Sequence, residues 1–328
     1  MADERFPGRV NRLSCERCDD PVPVVLVHSW SDREPGEYHV YDAATKRWTM
    51  VGRSQPQIDS RRMAEVSFER IRARDGLDLP LWITRPAGTK PTTPLPAVVM
   101  VHGGPWVRGG QWTWEPTEQF LASRGYLVIN PEYRGSTGYG QAHFRAGWRQ
   151  YGRAMQDDVA DALQWAIKQG WVDPKRVCIA GASYGGYAAL MGLVRHPELY
   201  RCGIAWVAVT DVRLLFEDSW ASDISEEARR WSLPTLIGDP KADAAMLREV
   251  SPVTHAARIK APLLLAFGQE DRRVPLEHGQ AMRSALQDVG RNPEWVVYPG
   301  EGHGWLRIDN RVDFAKRLEA FLARHLSQ

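Results

Sequence analysis

Val177-Cys178-Ile179-Ala180-Gly181-Ala182-Ser183-Tyr184-Gly185-Gly186 decides the fold. Its apolar first half reads as a buried strand, and the strand breaks into Gly-x-Ser-x-Gly with Gly181, Ser183 and Gly185 in the fixed places. Tyr187-Ala188-Ala189-Leu190-Met191-Gly192-Leu193 then reads as a helix packed in the interior. Strand, tight turn and helix form the context in which a serine is held exposed at the top of a sheet. Such a turn strains the serine backbone and needs small neighbours, here Gly181, Ala182, Gly185 and Gly186. The N-terminus of the following helix directs its N–H groups toward negative charge developing near Ser183. A glycine-rich turn with an incidental serine is the alternative, and the flanking elements argue against it.

Working outward, strands and helices alternate. Ala97–Val101 is an unbroken apolar run, as in a strand buried on both faces. Leu127–Asn130 is another such strand, and Thr117–Arg124 reads as a helix between them. Asp157 is placed to cap a helix running to Lys168, with Val159, Leu163, Ala166 and Ile167 on one face and Gly170 ending it. Strands follow at Gly203–Val209, Leu263–Gly268 and Glu294–Tyr298. Helices are expected at Leu276–Val289 and at the C-terminus, with Phe314, Leu318, Phe321 and Leu322 inward. This alternation predicts an α/β fold with a mostly parallel central sheet and helices on both faces, and the serine turn at its centre makes the expected fold an α/β-hydrolase. Residues 211–250 interrupt it with a Trp- and charge-rich helical insert. Upstream, Asp75-Gly76 marks a hairpin between Val66–Ala73 and Leu77–Arg85.

Residues 1–62 read differently. Val22–His28, Tyr38–Tyr41 and Arg47–Val51 form a short antiparallel meander with turn signals between, and residues 53–59 are a linker. Three strands with exposed edges are marginal alone, so this unit leans on the catalytic unit of residues 63–328 and its edges invite self-association.

The totals bound the function. A net charge of +2 gives no reason to expect nucleic acid or an anionic membrane as partner. The chain lacks an apolar run of membrane-spanning length, and Met1–Phe6 lacks a signal-peptide pattern, so a cytoplasmic location is expected. The 14 Trp either fill the core or line an apolar pocket near the loops. Cys178 and Cys202 are expected as buried free thiols. Cys15-Glu16-Arg17-Cys18 has the spacing of half a zinc site, but no second pair follows, and neither metal nor organic cofactor is expected.

An elbow serine needs a base and a group to orient that base. In this fold both lie later in the chain, on loops after strands, in the order Ser, acid, His. Gly268-Gln269-Glu270-Asp271-Arg272-Arg273-Val274-Pro275 follows one strand and Pro299-Gly300-Glu301-Gly302-His303-Gly304 the next. Asp271 and His303 are the candidate acid and base, with Glu270 a rival acid; Gly302 and Gly304 give the ring room to move. Two N–H donors must hold an oxyanion. Tyr184 supplies one, and the loop Val101-His102-Gly103-Gly104-Pro105 the other, through Gly104 or, failing that, Gly103.

Five motifs in order carry a family resemblance: His-Gly-Gly-Pro at 102–105, Asn-Pro-Glu-Tyr-Arg-Gly-Ser-Thr-Gly-Tyr-Gly at 130–140, Gly-Ala-Ser-Tyr-Gly-Gly at 181–186, Asp-Arg-Arg-Val-Pro at 271–275 and Gly-His-Gly at 302–304. Residues 63–328 resemble the prolyl oligopeptidase family, in its acylaminoacyl-peptidase and dipeptidyl-aminopeptidase branch. The resemblance implies a triad of Ser183, Asp271 and His303 and an oxyanion hole of Gly104 and Tyr184. It also implies that Arg273 contacts a substrate carbonyl, and that Val209, Val212, Phe216 and Trp220 form an apolar acyl-side pocket; an exposed arginine and core packing are the alternatives. The family carries a complete β-propeller before its hydrolase domain, whereas residues 1–62 resemble only the last part of a final blade. A shortened chain with an open site is the expectation. The reading is a peptidase releasing acyl-amino acids or dipeptides from small peptides, with a carboxylesterase on small acyl esters, or a silent interaction module, as alternatives. A paired-glutamate anchor for a free N-terminus is not evident.

Overall fold

The computed structural model describes residues 1–90, 92–217 and 225–327. A short helix α1 (Ala2–Arg5) precedes strands β1 (Val10–Ser14), β2 (Val24–Trp30), β3 (Glu37–Asp42) and β4 (Arg47–Arg53), which pair antiparallel in the order β1-β2-β3-β4. The expected meander had three strands. The extra one, Val10-Asn11-Arg12-Leu13-Ser14, is nearly all exposed and so shows no period-two apolar alternation. Ala2, Phe6, Val25 and Val27 form the small core of this sheet, with Trp48 against it.

Strands β5 (Glu65–Arg72) and β6 (Asp78–Arg85) form the hairpin around Asp75-Gly76. Then come β7 (Leu95–Val101), α2 (Pro116–Ser123), β8 (Leu127–Pro131), α3 (Gln141–Ala146), α4 (Ala154–Lys168), β9 (Val172–Ala182), α5 (Tyr184–Arg195) and β10 (Cys202–Trp206). After the short helices α6 (Leu233–Leu236) and α7 (Ala244–Glu249) of the insert, the chain completes β11 (Leu263–Gly268), α8 (Leu276–Asp288), β12 (Glu294–Tyr298) and α9 (Ile308–Leu326). The large sheet has the order β12-β11-β10-β9-β7-β8-β6-β5. Every pairing from β8 through β7 to β12 is parallel, and β6 joins β8 antiparallel.

Each strand side serves its own core. Val177 and Ile179 face the cluster that takes Met155, Val159 and Leu163 of α4, Leu190 of α5 and Met282 of α8. Cys178 and Ala180 face the opposite cluster, with Leu121 of α2 and Phe314, Leu318, Phe321 and Leu322 of α9. Helix α5, buried from Tyr184 to Val194, is the central one.

Three local expectations are corrected. Helix α4 starts at Ala154, so Asp157 is in its first turn rather than at its cap; there it accepts from Arg195 Nη2 at 3.0 Å. β10 ends at Trp206, because Val207 turns to φ 44° and the chain leaves the sheet. Cys178 and Cys202 are fully buried but not free. They lie directly opposite on β9 and β10, with Cα atoms 4.7 Å apart, and form a disulfide; Cys15 and Cys18 form another.

The small sheet is latched to the large one by polar groups. Asp32 Oδ2 accepts from Val66 N at 2.8 Å. Gln119 of α2 donates to the carbonyls of Asp32 and Ala64, both at 2.9 Å, and accepts from Ala64 N at 2.8 Å. All of this is buried, where an unpaired backbone group would be costly.

Candidate active site

Ala182, Trp206, Ala266 and Val296 stand side by side across β9, β10, β11 and β12. Parallel strands end at one edge of the sheet, so the loops after β9, β11 and β12 emerge together. Ser183 is the first residue beyond that row. Its N–H donates to Trp206 O at 3.0 Å, and its backbone sits at φ 58°, ψ −121°. A non-glycine residue holds such a conformation only where its surroundings impose it. Glycines make the turn possible: a Cβ on Gly181 would lie 2.6 Å from Val101 O, and one on Gly186 2.7 Å from Ala208 Cβ, while a Cβ on Gly185 would run into the Val101 carbonyl.

The loops after β11 and β12 are stitched together. Glu270 N donates to Glu301 O at 2.8 Å, and Gly268 is so close to the carbonyls of Glu301 and Gly302 that no Cβ fits. This places His303 Nδ1 2.7 Å from Asp271 Oδ2. The other carboxylate oxygen of Asp271 accepts from Arg273 N and Val274 N, both at 2.9 Å. Asp271 is buried, whereas the His303 side chain keeps 20% of its surface exposed. The carboxyl that meets the imidazole is therefore Asp271; the rival Glu270 is exposed. Ser183 Oγ makes no hydrogen bond to either partner among the described residues, and in unliganded sites that contact often tightens only with substrate.

The loop after β7 lies against the elbow. A Cβ on Gly103 would sit 3.2 Å from Ala182 O and 3.5 Å from Ser183 Cβ. Gly104 follows at φ 122°, exposed, with a cis peptide bond to Pro105. Tyr184 opens α5, so its N–H belongs to the first turn, which has no intrahelical acceptor. Its phenol is buried against Tyr133 and Tyr151.

Buried polar side chains of the 102–105 and 130–140 motifs fix this loop. Burial pushes the His102 pKa down to about 4, so the ring is neutral. Its Nδ1 lies 2.7 Å from Gly103 O and its Nε2 3.0 Å from Ser136 Oγ. Gly103 O can only accept, which puts the ring proton on Nδ1. Glu132, almost completely buried, accepts from the N–H groups of Gly109 and Gly110. Arg134 makes two-nitrogen contacts with both Asp158 (2.8 and 2.7 Å) and Asp75 (2.7 and 3.0 Å). Glu132 and Arg134 both lie in the 130–140 motif, so the signal was present without its role.

The remaining candidates are spread out. Arg273 is exposed on the loop that holds Asp271. Val209 and Val212 are buried in the core and Phe216 is half-buried against it. Trp220 lies outside the described residues. No group of three or more potential metal ligands occurs among the described residues.

Comparison with known proteins identifies the family. Residues 112–328 match the prolyl oligopeptidase family. Dipeptidyl aminopeptidase BIII of Pseudoxanthomonas mexicana is 35% identical, over 98% of this chain and 47% of its own length. The acylamino-acid-releasing enzyme of Sus scrofa is 29% identical, over 76% of this chain and 34% of its own. The crystal structure of a puromycin hydrolase superposes with a TM-score of 0.80 at 28% identity, over 92% of this chain and 45% of that one. The chain thus spans less than half the length of these relatives. With the α/β-hydrolase sheet, the strained serine turn and the Asp–His pair in register, the chain belongs to the prolyl oligopeptidase family.

Proposed function

We propose that this chain is a serine hydrolase that cleaves peptide bonds, acyl-aminoacyl or dipeptidyl, or ester bonds through an acyl-enzyme. The observation that carries the reading is the His303 Nδ1–Asp271 Oδ2 contact of 2.7 Å at the same sheet edge as the strained Ser183. Asp271 accepts from Nδ1–H, which leaves Nε2 as the basic nitrogen. That nitrogen takes the proton of Ser183 Oγ as the oxygen attacks the substrate carbonyl carbon. The tetrahedral oxyanion is held by the N–H groups of Tyr184 and Gly104. His303 then gives its proton to the departing amine or alcohol, leaving an ester on Ser183. Water attacks this ester with His303 again as base, which frees the acid and restores the serine.

In the same proposal Arg273 contacts a substrate carbonyl, and Val209, Val212, Phe216 and Trp220 make up the apolar acyl side. Residues 1–62 form the end of a β-propeller, a reading supported by their four antiparallel strands, the number in one propeller blade. No helix among the described residues is long and apolar enough to cross a membrane. We keep a cytoplasmic setting in the proposal. Recovery from an extracytoplasmic fraction would overturn it, and the two disulfides would suit such an oxidising compartment.

The test compares p-nitrophenyl esters with acetyl-aminoacyl and dipeptidyl p-nitroanilides, for wild type and Ser183→Ala. Turnover that Ser183→Ala abolishes is expected. Anilide cleavage marks a peptidase and ester cleavage alone a carboxylesterase. Activity retained in Ser183→Ala would sink the reading.

A further inference from the structure

His303 sits in the least restrained kind of backbone. Gly302 and Gly304 flank it, Gly304 at φ 148°, and glycine gives up more freedom on ordering than any other residue. A Cβ on Gly304 would meet nothing within 4 Å, so packing does not hold this turn. Yet only a narrow range of loop shapes sets the imidazole Nδ1 2.7 Å from Asp271 Oδ2. Something other than the glycines must choose that shape.

Glu301 does so from both of its ends. Its carbonyl accepts from Glu270 N at 2.8 Å, which ties the start of the His303 loop to the loop that carries Asp271. Its side chain, in a residue only 1% exposed, reaches past His303 to the far end of the same loop. Oε2 accepts from Leu306 N at 2.8 Å, and Oε1 accepts from Arg307 N at 3.0 Å and from Asn310 Nδ2 at 2.7 Å. Arg307 caps α9 and Asn310 lies in its first turn, so the carboxylate also meets the positive end of the helix dipole. Burial alone would raise the Glu301 pKa, but these donors outweigh burial and hold the carboxyl below its ordinary value. Helix α9 is itself fixed on the sheet through Phe314, Leu318, Phe321 and Leu322.

The side chain thus closes residues 301–306 into a ring, and His303 is carried inside it. None of the proton transfers proposed above uses this buried carboxylate. We infer that Glu301 is a positioning residue of the triad, which acts through His303 by keeping the imidazole on Asp271 so that Nε2 is presented to Ser183. This inference rests on the serine-hydrolase reading.

The test reads p-nitrophenyl ester turnover together with the far-downfield NMR signal of the Nδ1 proton shared with Asp271, assigned by its loss in His303→Ala. Glu301→Gln keeps the shape of the side chain but turns one acceptor oxygen into a donor that faces backbone N–H groups. It is expected to lower kcat by about 10- to 100-fold with KM little changed, as for a catalytic group moved out of line, and to broaden or remove the proton signal. In a His303→Ala background the same substitution should change the residual turnover by less than about twofold, because Glu301 then has nothing to position. Asn310→Ala removes one donor and leaves the carboxylate. It should lower kcat by about two- to fivefold, and it decides the matter if Glu301→Gln does not fold. Unchanged kcat in both variants with the proton signal intact would overturn the inference. So would an equal loss in the His303→Ala background, which would mean that Glu301 only props the fold. Turnover that survives Ser183→Ala would instead overturn the hydrolase reading. The proton signal alone then decides: lost in Glu301→Gln it supports the positioning role, intact it overturns it.

Discussion

Ser183 holds φ 58°, a conformation that costs a residue with a Cβ on the order of 1–3 kcal/mol. The surrounding glycines let the rest of the fold enforce it. Gly185 is the tightest, since a Cβ there would meet the carbonyl of Val101 in the neighbouring strand. Gly185→Ala is expected to destabilise the protein by about 3 kcal/mol or more, because the obstacle is backbone and cannot rotate away. Urea unfolding reads this directly, and a loss below about 1 kcal/mol would show that the elbow tolerates a methyl group. These residues were legible because Gly-x-Ser-x-Gly is a local pattern whose geometry depends on its own turn. Asp271 and His303 were legible for a related reason: each follows a recognisable strand. The Cys178–Cys202 pair was not, since it depends on the register of two strands that meet only after folding. The role of Glu301 beside His303 is not legible in the sequence, because a loop carboxylate carries no sign of the amides it will accept.

At the scale of elements, α2 carries an unusual carboxyl. Burial, followed by the nearby charge of Glu115, raises the Glu118 pKa to about 7, while hydrogen bonds from Thr84 (2.9 Å) and Asn130 (2.8 Å) oppose the shift. The folded protein thus binds this proton more tightly than the unfolded chain. The stability this gives is fully present below the ordinary carboxylate value and is lost as pH rises through about 7. Glu118→Gln should remove the dependence and leave the variant more stable than wild type at pH 8, by on the order of 1–3 kcal/mol. Thermal melts at pH 5 and 8 read it; the same pH slope in both proteins would contradict it. Elements buried on both faces, such as β7, β9 and β11, were readable from unbroken apolar runs. β1 and α3 were not, because β1 is largely exposed and α3 spans only Gln141–Ala146. The Arg134 bridge to Asp75 and Asp158 ties the β5–β6 hairpin to α4, a link no local pattern reveals.

Across the whole molecule, the small sheet leans on the large one through Asp32, Gln119 and Ala64, as a meander of marginal size requires. Its edge strands remain open, with Leu13 53% exposed on β1 and Val51 63% on β4. Self-association through these edges is our proposal, and Leu13→Lys should lower the molar mass seen by light scattering at high concentration. A clean monomer in wild type would defeat it. The division into residues 1–62 and 63–328 remains a proposal of the same kind. The central claim is that Ser183 is a nucleophile activated by His303. Intact-mass spectrometry after exposure to a fluorophosphonate, with peptide mapping, tests it most directly. One adduct is expected, located on Ser183, absent from Ser183→Ala and strongly slowed in His303→Ala. Labelling at another residue, or at an undiminished rate without His303, would contradict it.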